Sequence, residues 1–166
     1  GDSEQPTEGH TIKQYADDVI AVADNLGLDR FTYVGHSMGG GIGYQLGVSY
    51  GERLNKLVLV APIPAGGIDA PASIHEAAKA QRKSANARDE MIRERMLMRI
   101  RATKDSVIQG VDRALSVSDA HFDDSWQSMQ EFNLSESLDE LITPTLMVAG
   151  AADGLCAANV NDWQRL

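Results

Sequence analysis

Apolar residues first recur at helical spacing: Ile12, Tyr15, Val19, Val22 and Leu26 follow at intervals of three or four, which lines one face of a helix. Thr11 and Gln14 match a capping box at its start, and Gly27 supplies its stop. After the turn Leu28-Asp29-Arg30, the run Phe31-Thr32-Tyr33-Val34-Gly35 is rich in β-branched and aromatic residues and predicts a short strand. A helix from about Met38 to Tyr50 comes next, although Gly39, Gly40, Gly41, Gly43 and Gly47 sit in it. Each helical Gly costs about 1 kcal/mol relative to Ala. Such a load points to close approach of neighbouring backbone rather than to helix propensity.

Leu57-Val58-Leu59-Val60-Ala61 is apolar without alternation, as in a parallel strand buried on both faces, and Pro62 and Pro64 end it. From 71 to 132 the pattern predicts three or four helices, with Ile74, Met91, Met96, Ile100, Val107, Val111, Trp126 and Met129 among their apolar positions. Pro144 introduces a third strand, Thr145-Leu146-Met147-Val148-Ala149-Gly150, and a further helix is expected over 157–165. Strand, helix, strand, helical insertion, strand, helix is the rhythm of an α/β protein with a parallel sheet. Three strands are few for such a sheet. Residue 1 is Gly and residue 166 falls inside a helical pattern, so a piece of a longer chain is expected, and the lack of a leader carries no message.

Composition narrows the class. With 166 residues, 43% of them hydrophobic and 23% charged, the chain is long enough to bury a real core, and no apolar run reaches a membrane span. Lys and Arg number 15 against 24 Asp and Glu, and the net charge of -9 disfavours a nucleic-acid partner. Cys156 is the one cysteine, excludes an internal disulfide and fits a reducing, cytoplasmic compartment. Nothing in the pattern sets the oligomeric state. Residues 79–104 hold 9 of the 15 basic residues, which reads as a solvated helix face or a positive face packed on an acidic core. Met91, Met96 and Met98 are expected to serve ordinary helix packing.

Gly35-His36-Ser37-Met38-Gly39 fits Gly-x-Ser-x-Gly between a predicted strand and a predicted helix, where the turn would strain the serine backbone and expose its hydroxyl. Glycines on either side would avoid collisions between strand and helix. The alternative is that Ser37 is only a helix cap.

Here the sequence resembles the α/β-hydrolase family. Gly1-Asp2-Ser3 looks like the end of its Arg-Gly-x-Gly-x-Ser segment, and residues 12–26 resemble the helix before the nucleophile strand. The elbow 35–40, the strand over 57–62 and the Pro144–Asp153 stretch Pro-Thr-Leu-Met-Val-Ala-Gly-Ala-Ala-Asp also resemble family elements. The resemblance implies a parallel-sheet α/β-hydrolase fold with a helical cap: core over 1–61, cap over 62–135 and core again over 136–166. Carried over by position, Ser37 is the nucleophile, Asp153 the catalytic acid, Gly35 and Gly39 the elbow, and the Met38 N–H an oxyanion donor at a helix N-terminus. Asp69 is the rival acid, and a turn cap is the alternative reading of Asp153.

A serine hydroxyl needs an imidazole to take its proton, and family order runs Ser, acid, His. No His follows Asp153, so the base and the second oxyanion donor are expected outside these residues; His10, His36, His75 and His121 read as surface or packing residues. The implied activity is hydrolysis, through an acyl-enzyme, of a small, mainly apolar ester or related carbonyl compound. Lactonase, C–C hydrolase and perhydrolase or haloperoxidase-like chemistry share the same elbow, whereas epoxide opening and halide displacement use an Asp nucleophile. A non-catalytic binder of a small ligand is the other class. The His, Cys and acidic residues lack metal-ligand spacing, and no cofactor is expected.

Overall fold

The computed structural model describes residues 3–98 and 102–166. Gly1 and Asp2 of the family-like segment, Ile100 of the apolar pattern, and Arg99 and Arg101 of the basic stretch lie outside the described residues. In chain order, α1 (Ile12–Asn25), β1 (Phe31–His36), α2 (Met38–Ser49) and β2 (Leu54–Val60) come first. Helices α3 (Ala72–Lys83), α4 (Ala87–Met98), α5 (Lys104–Leu115) and α6 (Asp119–Glu131) follow, then β3 (Thr145–Val148) and α7 (Cys156–Trp163).

Thr11 caps α1 by accepting from the Gln14 N–H at 3.1 Å, while the Gln14 side chain turns to Asp18, so half of the capping box forms. The inward stripe of α1 runs through Ile12, Ala16 and Ala23, with Tyr15 and Val19 against the core. Val22 and Leu26, expected on that stripe, are about two-thirds exposed because small alanines take the inward positions.

All three strands are parallel in the order β1-β2-β3, with Gly35 opposite Leu59 and Leu59 opposite Met147. β2 begins three residues before its apolar run, at buried Leu54, and the exposed Asn55 and Lys56 separate that residue from the run. Tyr33, Leu57 and Leu59 face the side on which α2 packs, whereas Val34 and Leu146, 65% and 58% exposed, lie on the other face. Burial of Ile12, Tyr44, Leu46, Leu57, Leu59 and Leu138 forms the main core. Its hydrophobic burial is the dominant stabilising term.

Two compact units divide the chain. The larger comprises Gly9–Asp69 and Asp124–Leu166, the smaller Ala70–Asp123 with N-terminal residues up to Glu8. Residues 62–69 and 124–135, expected in the helical insertion, thus lie with the larger unit.

In the smaller unit, Met91, Val107 and Val111 form the buried cluster, and α3 buries no residue fully. Ile74, Met96 and Met98 are exposed rather than packed as expected. Several basic residues are engaged within this unit: Arg88 bonds Asp112 at 2.7 Å and Lys79 bonds Asp123 at 2.9 Å. Arg82 lies 4.7 Å over the Phe122 ring and donates to the carbonyls of Ala114 and Val117.

Candidate active site

At the carboxyl end of β1 the chain turns sharply, and Ser37 takes φ 55° and ψ -119°. Ala61, at the carboxyl end of the neighbouring β2, has φ 41°; among the described residues these are the two non-glycine positions with positive φ. Each such conformation costs on the order of 1–3 kcal/mol and persists only where neighbours over-determine it. They do so here. The Ser37 N–H donates to Val60 O at 3.1 Å, and the Ser37 carbonyl accepts from Gly40 N at 2.8 Å and Ile63 N at 3.1 Å. The Ala61 N–H donates to Val148 O at 2.7 Å, which ties β3 to the same edge.

Glycine is required at the strand side of the turn, since a Cβ on Gly35 would stand 2.1 Å from the Gly39 carbonyl oxygen. The helix needs it at Gly40, where a Cβ would meet that of Pro62 at 2.4 Å. At Gly39 the expected collision is absent: a Cβ would meet only the Tyr33 hydroxyl, at 3.7 Å. Gly39 matters instead through its carbonyl, which accepts from that hydroxyl at 2.9 Å. Burial pushes the Tyr33 phenol up, so it stays protonated and donating.

Ser37 occupies the N-cap position of α2, yet its side chain makes no capping hydrogen bond and the residue is exposed. The hydroxyl is therefore not committed to the helix, unlike that of Thr11. Met38 is the first residue of α2, so its N–H is one of the donors that the helix itself leaves unsatisfied, at the positive end of the dipole.

A model of the alpha/beta hydrolase fold matches residues 1–162. The chain belongs to the alpha/beta hydrolase fold family. It is 28% identical over 167 aligned positions to 3-oxoadipate enol-lactonase 2 of Acinetobacter baylyi, a match covering 92% of this chain and 58% of that protein. It is 40% identical over 65 residues to the bifunctional esterase/perhydrolase of Acinetobacter calcoaceticus, covering 39% of this chain and 24% of that one. The chain thus spans less than two thirds of these curated relatives. Among solved structures it resembles an esterase from Exiguobacterium antarcticum at a TM-score of 0.83 and 20% identity, covering 100% of this chain and 66% of that one.

On this hydrolase scaffold Asp153 follows β3 in a turn, with its N–H on Gly150 O at 2.9 Å. Its Oδ1 accepts from the Leu155 N–H at 2.9 Å, so the turn-capping contact forms. A carboxylate has about four acceptor sites, and one backbone contact fixes its orientation without exhausting them. Asp153 and Ser37 thus both follow strands at the same sheet edge, one after β3 and one after β1, with β2 between. Asp69 is exposed and lies nine residues past the end of β2. Half-buried Cys156 opens α7.

Buried His10 has Nδ1 3.0 Å from Asp124 Oδ2, His75 Nε2 lies 3.0 Å from Asp123 Oδ1, and His36 is exposed on β1. His121 belongs to the smaller unit, at the start of α6. Among the described residues no cluster of three or more His, Cys, Asp or Glu stands ready for a metal, and no helix is long and apolar enough to cross a membrane. The residues that the sequence did not single out are Tyr33, Ala61 and Ile63, which act on the elbow through one hydroxyl and through backbone. Tyr33 alone carried a signal, since alternation from Gly35 puts it on the covered face of β1.

Proposed function

We propose that the complete protein is a serine hydrolase for small, mainly apolar carboxylic esters, with Ser37 as nucleophile and Asp153 as the acid that orients its base. The observation that carries this reading is the Ser37 backbone at φ 55° on a strand-to-helix turn, with a side chain that does not cap the helix. Ser37 Oγ attacks the ester carbonyl carbon and its proton passes to an imidazole nitrogen. The Met38 N–H supports the charge that develops on the carbonyl oxygen. The carbon–oxygen bond to the leaving alcohol breaks, the alcohol departs with that proton, and water then releases the acid from Ser37. On this reading the imidazole is none of His10, His36, His75 and His121.

A lactone is a cyclic ester and follows the same steps, with the alcohol remaining tethered to the acyl group. The likeness to an enol-lactonase over 92% of the chain supports lactones as the first subclass to assay. The test is turnover of p-nitrophenyl butyrate by the complete protein. Ser37→Ala is expected to lower kcat on the order of 10^6-fold and Asp153→Asn about 10^4-fold. A loss under tenfold for Asp153→Asn would move the acid to Asp69. Turnover that survives Ser37→Ala, or a parent protein that binds esters without turning them over, would overturn the reading.

A further inference from the structure

We propose that Asn159 and Asp162, one turn apart on α7, are positioning residues for Ser37: they grip the 62–65 segment, whose other side holds the serine in its left-handed conformation. The proposal rests on the reading of Ser37 as nucleophile and adds to it the parts that keep its backbone in place.

The chain of contacts is short. Asn159 Nδ2 donates to the Pro62 carbonyl at 3.0 Å, and Asp162 Oδ2 accepts from the Ala65 N–H at 2.8 Å. Between those two anchors, the Ile63 N–H donates to the Ser37 carbonyl at 3.1 Å. Pro62 also stands against Gly40 in the first turn of α2 so closely that no Cβ fits there. The 62–65 segment is therefore a wedge with α7 on one side and the elbow on the other. It follows directly from Ala61, the second strained residue, so its course is not set by relaxed backbone.

Asn159 is 1% exposed, and its amide orientation is fixed because a proline carbonyl can only accept. Among the described residues nothing donates to its Oδ1, a buried polar atom that costs about 1–3 kcal/mol. A leucine would fill that volume without the penalty, so the amide is retained for what its nitrogen does. Asp162 Oδ2 also takes the hydroxyl of buried Tyr44, at 3.3 Å, which joins α2 to the same carboxylate. Burial and the neighbouring Asp162 carboxylate push the Tyr44 phenol far up, so it acts only as a donor.

The sequence pattern hides this device: two polar residues on a short helix read as its wet face. What reveals it is that both reach carbonyl or amide groups of a segment 97 residues earlier in the chain.

The experiment uses the complete protein with Asn159→Leu, Asp162→Leu and Asp162→Asn. Both leucine variants are expected to lower kcat for p-nitrophenyl butyrate about tenfold with KM within twofold, because misplacing the nucleophile slows chemistry rather than binding. Asp162→Asn keeps an acceptor oxygen and is expected to retain kcat within threefold. Amide exchange supplies a readout that does not need activity. In the leucine variants the Ile63 and Ser37 N–H groups are expected to exchange at least tenfold faster relative to Leu57, whose N–H bonds Pro144 O at the other end of the sheet. Asp162→Leu stands in should Asn159→Leu not fold. Unchanged kcat, or equal acceleration at Ile63 and Leu57, would overturn the proposal while Ser37→Ala still abolished turnover. Failure of the serine reading itself would show differently, as turnover in the Ser37→Ala protein.

Discussion

The elbow region and the helical unit Ala70–Asp123 invert the usual relation between helix propensity and packing. α2 carries five glycines and is a poor helix on its own, yet seven of its twelve residues are buried. Helix α3 has four alanines and no glycine, and buries none of its twelve residues fully. Close backbone contact, which only glycine permits at Gly40, gives α2 its hold, whereas α3 to α5 rely on one small cluster and on exposed or half-exposed ion pairs. Exposed pairs contribute roughly 0–1 kcal/mol each. A strained serine can be kept only in the first kind of setting.

Gly35→Ala attacks that setting most directly. Its Cβ would collide with backbone, so about 3 kcal/mol of stability and at least roughly a hundredfold in esterase kcat are expected to be lost. Urea unfolding and p-nitrophenyl butyrate turnover would measure both, and a fully active, stable variant would mean that the strand–helix contact is looser than described. Next in size, Leu57→Ala in the main core is expected to cost about 3 kcal/mol, and Val111→Ala in the helical unit about 2 kcal/mol. The location of the loss sharpens the contrast: Val111→Ala should speed amide exchange over α4 and α5 while β1 and β2 keep their protection. Equal acceleration everywhere would mean that the two units open together.

Smallest is Asp17→Asn. Hydrogen bonds from Lys13 at 2.9 Å and Tyr50 at 2.7 Å hold the Asp17 carboxyl below its ordinary value of 3.8. A lowered folded-state value means that the contribution is complete above that ordinary value and is lost as pH falls through the folded one. At neutral pH the variant should lose less than about 1 kcal/mol, and its unfolding midpoint should respond less to acid below pH 4 than that of the parent. A loss well above 1 kcal/mol would contradict the ranking of packing over exposed ion pairs.

Much of the architecture was legible because it depends on local signals: strand–Gly-x-Ser-x-Gly–helix, the apolar run before Pro62, and the glycine load of α2. Other features arise from contacts that no local pattern encodes. Ala61 adopts positive φ without a glycine to announce it, and Val22 and Leu26 lost the inward stripe of α1 to alanines. Asn159 and Asp162 are ordinary polar letters until the 62–65 segment comes to rest on them. Ser37 and Asp153 were legible as positions, and the sheet order explains their common edge, whereas no histidine among residues 154–166 offers a local signal for a base.

The most direct measurement is intact mass and peptide mapping of the complete protein after treatment with a fluorophosphonate. One adduct is expected, on Ser37, and none in Ser37→Ala. An unlabelled protein, or an adduct that persists in Ser37→Ala, would contradict the assignment of the strained serine as nucleophile.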